Sequence, residues 1–231
     1  MPAVLITGAA RGFGRALLDE YLGRGWTVFP LVRGLGDAEP LAERERCHPV
    51  VGDVTTPPVE EAIAAALRAH DVALDLLVNN AGGIKKLRGL AVTMPEDLDE
   101  LFGVHCVGVL RCTRAALPWL RRAPRATVVN VSSRFGSITR TAAGEWRGIY
   151  SYPVAKAAQN MLTACLDREL ASEGIRVFAL HPGALRTPLG AVDADTDPAD
   201  AARAFAAWVQ AVDRDAPCGF HDLGSGGLIP W

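Results

Sequence analysis

The chain has 231 residues, with 24 Lys or Arg against 26 Asp or Glu, a formal net charge of -2. Near-neutral charge argues against a nucleic-acid binder, which carries a basic excess or stripe, and a hydrophobic share of 49% is too high for disorder. No apolar run is long enough to span a bilayer, and the five scattered cysteines lack CxxC spacing, so neither membrane span, zinc knuckle nor disulfide framework is expected.

The N-terminal apolar run 3–7 has no basic leader before it and ends in a glycine turn, which predicts a buried strand and not a signal peptide. A helix follows from Gly12 to about Gly23, with Ala16, Leu17, Tyr21 and Leu22 at helical spacing. Strands are predicted at 26–32, within 48–54 and at 74–80, with a helix over 59–70 before the last of these. A long helix is expected over 95–120, entered through Pro95 with acids in its first turns. Strand 126–133, helix 149–172 and strand 175–182 come next. An acidic loop from 191, a helix over 198–212 and a short strand at 219–223 complete the chain. The strands are continuous apolar runs, as in strands buried on both faces. The expected fold class is α/β: one doubly wound domain, with a mostly parallel sheet and helices on both faces. Scattered free thiols fit a reducing, cytoplasmic setting.

Three features point to chemistry. Thr7-Gly8-Ala9-Ala10-Arg11-Gly12-Phe13-Gly14 stands between the first strand and the first helix. Glycines there let backbone approach a pyrophosphate, and the helix N-terminus offers free N–H groups. The second strand ends Leu31-Val32-Arg33-Gly34 with no acid to hold a ribose hydroxyl. Arg33, with Arg11, suits a 2′-phosphate, so the expected cofactor is NADP(H). Tyr152 and Lys156 are four apart and share a helical face, where the cation is expected to lower the phenol pKa; Tyr150 has only Val154 at that spacing. Ser133 stands at the C-terminal edge of the sheet, where a hydroxyl meets a substrate carbonyl.

The order TGxxxGxG, Asn79-Asn80-Ala81-Gly82, Ser133, Tyr152–Lys156 and Pro182-Gly183 resembles the short-chain dehydrogenase/reductase family over essentially the whole chain. The runs 132–138 and 181–187 and the ending 226–231 resemble its C-factor-like branch. The resemblance implies a seven-stranded Rossmann sheet. It places Gly8, Gly12 and Gly14 under the pyrophosphate, with Thr7 and Phe13 in the same turn. Asp53 and Val54 would meet the adenine, and Asn80, Ala81 and Gly82 would line the adenosine side. Pro182, Gly183, Leu185 and Thr187 would meet the nicotinamide end. Ser133 would orient the carbonyl, Tyr152 would carry the proton, and Lys156 would hold the ribose and lower the tyrosine pKa. The branch implies an insertion between Ser133 and Tyr152 that walls the substrate pocket.

One departure stands out. His105 occupies the position of an Asn that, in the family, helps hold a water feeding protons to the lysine. Histidine donates, accepts and titrates near neutrality, so the relay survives in altered form or is impaired. The expected function is an NADP(H)-dependent oxidoreductase acting on a small apolar or aromatic carbonyl or alcohol, without a metal, as a homodimer or homotetramer. The alternative is an NADP(H)-binding signalling protein with little turnover. Lys85, Lys86 and Arg88 are read as a solvated loop, and Cys106 and Cys112 as small buried hydrophobes.

Overall fold

The computed structural model describes residues 1–85, 89–188, 190 and 194–231. Seven strands form one sheet in the order β3-β2-β1-β4-β5-β6-β7. They are β1 Ala3–Thr7, β2 Thr27–Val32, β3 Val50–Val51, β4 Leu76–Asn79, β5 Thr127–Val131, β6 Arg176–His181 and β7 Phe220–Asp222. Every neighbouring pair is parallel. The helices are α1 Gly12–Gly23, α2 Leu35–Ala42, α3 Pro58–Ala69, α4 Pro95–Phe102, α5 Val109–Leu120, α6 Ile138–Ala142, α7 Ser151–Leu170 and α8 Pro198–Ala211.

Alternation along β1 divides the core. Val4 and Ile6 face a cluster with Leu17 and Tyr21 of α1 and Phe205 of α8. Ala3 and Leu5 face the opposite layer, with Ile63 of α3, Cys112 and Leu120 of α5 and Leu170 of α7. Both faces of the strands are therefore dry, which is why the sequence shows unbroken apolar runs. Cys106 and Cys112 are buried as expected.

Most boundaries fall within two residues of expectation, but four elements differ, the short helix α6 within the segment after Ser133 being one that was not expected. The third strand, expected within 48–54, is only Val50–Val51. Helix α2 was not foreseen, because Leu35-Gly36-Asp37-Ala38-Glu39-Pro40 has no helical apolar period and only Ala38 and Leu41 are buried. The helix expected over 95–120 is split by a π-helical segment, Gly103–Gly108. That wider turn leaves no mark in apolar spacing, and such segments concentrate at functional sites.

The first strand order reversal lies between β1 and β4, so the crevice opens above their C-terminal ends. The catalytic-side helix α7 is locked to β6 by a buried ion pair. Asp167 accepts from Arg176 Nε at 2.9 Å and from Val177 N at 2.8 Å. Asp167→Ala leaves that guanidinium uncompensated and is expected to lower unfolding free energy by about 3–5 kcal/mol, read by urea denaturation.

Candidate active site

The crevice is a cleft of about 350 Å³ lined by the glycine turn, the β2 end and the β4 end. Gly8, Arg11, Gly12, Phe13, Gly14, Arg33, Asp53, Val54, Asn80, Ala81, Gly82, Leu185 and Thr187 all border it. The turn depends on glycine at two places in particular. Gly8 has φ +67° and its missing Cβ would lie 2.8 Å from Ala81 Cα; at Gly14 a Cβ would collide with the Gly8 carbonyl. Helix α1 enters the cleft with no side-chain cap and no acid in its first turn, leaving its N–H groups and positive dipole end to an anion.

Thr7 does not border the cleft. It is buried, and its hydroxyl accepts from Asn80 N at 3.0 Å and Ala81 N at 2.9 Å. Asn80 Nδ2 in return donates to Thr7 O at 2.9 Å. These bonds clamp the glycine turn to the β4 turn. Pro182 and Gly183 follow β6 and lead into the bordering residues Leu185 and Thr187.

At the β2 end Arg11 and Arg33 are exposed, and neither forms an ion pair among the described residues. Asp37, in the first turn of α2, borders the same end and was missed because its helix was missed. Asp53 is partly engaged: its carboxylate accepts from Thr55 N and Oγ1, which holds its pKa below the usual range.

Beyond the cleft, Ser133, Tyr152, Lys156 and His105 converge. Ser133 Oγ accepts from Phe135 N at 3.4 Å. Tyr152 is packed by three neighbours. The rings of His105 and Phe135 lie 5.7 and 6.2 Å from its ring, and Lys156 Nζ lies 5.7 Å from the ring centre. Its phenol pKa is raised by burial and pulled back by the Ser133 hydroxyl beside it. The Lys156 ammonium beside that ring has its own acceptors. It donates to Val131 O at 2.7 Å and Gln159 Oε1 at 2.9 Å, and burial pulls its own pKa down to about 7.

His105 sits in the π segment and is buried. One ring nitrogen, Nε2, bonds Gly83 O at 2.9 Å and must donate there. Nδ1 is then an acceptor with no partner among the described residues. Burial, then the nearby Lys156 charge, lowers its pKa to about 3, so the ring is neutral in the working range.

The wall after Ser133 is aromatic. Phe135 and Trp146 pack 4.7 Å apart, and Trp146 Nε1 donates to Thr141 Oγ1 at 2.9 Å. Residues 230–231 tie this wall down, with Ser137 and Thr139 hydroxyls donating to Pro230 O and Trp231 O. Lys85 is not free to steer a ligand, since it pairs with Asp97 and Glu100. Lys86 and Arg88 of the loop, and residues 191–193 at the start of the acidic loop, lie outside the described residues.

Comparison with known proteins agrees with this geometry. The short chain dehydrogenase family pattern matches residues 2–197, and the chain belongs to that family of oxidoreductases. C-signal of Myxococcus xanthus is 32% identical over 158 residues, covering 68% of this chain and 93% of that protein. Cyclopentanol dehydrogenase of a Comamonas strain is 31% identical over 191 residues, covering 80% and 74%. The NADPH-bound carbonyl reductase from chicken fatty liver superposes with a TM-score of 0.89 at 27% identity, covering 99% and 98%.

The buried imidazoles make an acid-labile site. Burial holds His105 at about 3 and His181 at about 4, below their unfolded value of 6.5. Between those values the unfolded chain binds more protons. Their contribution is therefore complete above pH 6.5 and is lost on acidification, by up to about 1.4 kcal/mol per pH unit for each group. Thermal melts from pH 7 to 5 are expected to show a smaller loss in His105→Asn than in the parent chain.

Proposed function

We propose that this short-chain dehydrogenase is an NADP(H)-dependent carbonyl reductase or alcohol dehydrogenase. The observation that carries the reading is the convergence of Ser133, Tyr152 and Lys156 at the end of a glycine-lined cleft. The cleft suits a dinucleotide: its turn has backbone where a Cβ would not fit, and α1 presents uncapped N–H groups. Arg11 and Arg33 would hold a 2′-phosphate, and Asp53, Val54 and Asn80 to Gly82 would border the adenosine. Leu185 and Thr187, reached through Pro182 and Gly183, would border the nicotinamide. When bound, the nicotinamide supplies or accepts the hydride.

The side chains would do the rest. Ser133 would donate its hydroxyl proton to the carbonyl oxygen, in the manner of an oxyanion donor. Tyr152, kept protonated at neutral pH by burial, would act as general acid in the reducing direction. Lys156 would hold the ribose and place positive charge beside the phenol ring. His105, neutral and bonded to Gly83 O, would offer Nδ1 as an acceptor in the proton path toward Lys156. The Phe135–Trp146 wall favours small apolar or aromatic carbonyl substrates.

Exposed Phe102 and Leu110 on α4 and α5, with Val154 and Met161 on α7, favour a homodimer or homotetramer through these helices. Five free cysteines fit a cytoplasmic setting. A second reading, an NADP(H)-binding signalling protein with little turnover, is favoured by the departure at His105 and the likeness to C-signal. NADPH oxidation against a panel of aldehydes, ketones and quinones decides: tight NADPH binding with no turnover on any of them selects the second.

Tyr152→Phe is expected to lower turnover at least about 100-fold while NADPH affinity, measured by fluorescence titration, stays near the parent value. Retained turnover defeats the assignment of the proton to Tyr152. Arg33→Ala is expected to weaken NADPH relative to NADH by about tenfold or more, and Asp37→Ala to shift preference the opposite way. Equal preference for the two cofactors in the parent chain and both variants defeats the phosphate reading.

A further inference from the structure

The inward face of α7 is polar where an apolar stripe is expected. Lys156, Gln159, Asn160 and Thr163 are all buried there, and Gln159 is fully so. Lys156 and Gln159 are three apart, so their side chains meet on one face. Gln159 Oε1 accepts from Lys156 Nζ at 2.9 Å, and its Nε2 has no partner among the described residues. A fully buried amide that gives up its own donors leaves the lysine as its one side-chain partner there. The glutamine backbone is fixed in turn: Thr163 Oγ1 donates to Gln159 O at 2.8 Å, and Asn130 Nδ2 donates to Thr163 Oγ1 at 2.9 Å. Asn79 Nδ2 reaches Asn130 Oδ1 at 2.8 Å, so the chain of bonds runs from α7 through β5 to β4.

We propose that Gln159 is a positioning residue for the reaction: with the Val131 carbonyl it holds the Lys156 ammonium beside the Tyr152 ring and keeps it charged. An ammonium has three donors, and these two acceptors take two of them, leaving one for the cleft. The acceptors also offset the desolvation of a buried cation. The proposal rests on the reading of Lys156 given above. The other ionisable groups around the ammonium are Tyr152 on its own helix, His105 and Cys106 from the π segment, and His181 from β6. Cys106 is held protonated, with its thiol pushed up to about 11, and both imidazoles are neutral near pH 7. Among the described residues no carboxylate joins them, so a neutral amide oxygen stands where an anion usually accompanies a buried lysine.

The test is titration of Lys156 in the cofactor-free full chain, followed by NMR of lysines labelled at Cε and assigned with Lys156→Met. Burial sets the parent midpoint at about 7. Gln159→Leu is expected to lower it by about one to two units, the worth of one hydrogen bond to a charged group. Gln159→Glu, which keeps the shape and adds an anion, is expected to raise it. In turnover assays the alkaline limb of the pH profile should move with the midpoint in each variant, and kcat should change more than KM. The same Lys156 midpoint in the parent and in Gln159→Glu overturns the proposal, even if Gln159→Leu does not fold. Moved midpoints without any change in the pH profile leave Gln159 setting the lysine charge but defeat its role in the reaction. Because the NMR measurement needs no cofactor or substrate, it separates failure of this proposal from failure of the oxidoreductase reading.

Discussion

A single buried ammonium organises the catalytic end of this molecule. Lys156 lies almost fully out of water under the sheet edge, and burial alone would expel its charge. Its acceptors are the last carbonyl of β5 and an amide one turn along α7. Those acceptors set the distance between the helix and the sheet, and that distance places Tyr152 and Ser133 at one edge. The Asn79–Asn130–Thr163 ladder belongs to the same arrangement. It fills the gap between strands and helix with paired polar groups, where an apolar core would leave the lysine unsupported.

Besides that ammonium, the phenol is packed by neutral rings. His105 is neutral, its Nε2–H is committed to Gly83, and its ring packs edge-on against Tyr152. The π segment that carries it widens the helix by one residue and turns the imidazole inward beneath Gly82, where a Cβ would press on the ring. Burial raises the phenol pKa, and the Ser133 hydroxyl pulls it back. The two ends are built differently. The cleft is backbone, glycine and a helix dipole, whereas the segment after Ser133 is a pair of aromatic rings held by residues 230–231.

Much of this was legible in the residues. Continuous apolar strands with intervening amphipathic helices implied a parallel doubly wound sheet, because strands dry on both faces need apolar residues at every position. The glycine turn, the end of β2 and the Asn80–Gly82 turn, all singled out in the sequence, border the cleft. Helix α2 was not legible, since its two inward residues are too few to make a period, and Asp37 was lost with it. The bonds from the β4 turn to the Thr7 hydroxyl were not legible either, because they join residues more than seventy apart. Gln159 drew no notice, because a glutamine three residues after a lysine has no meaning until both are seen to be buried.

What the sequence by itself determined was the architecture and the identity of the groups at the crevice. Both follow from local rules: period, turn chemistry and the spacing of residues on one helix. The tertiary structure decided protonation and partnership. Whether Lys156 lowers the phenol pKa, whether His105 carries charge and which acceptor holds the ammonium all depend on burial and on atoms far apart in the chain. Electrostatic energies change severalfold between water and a dry interior, so no spacing along the chain could have set them.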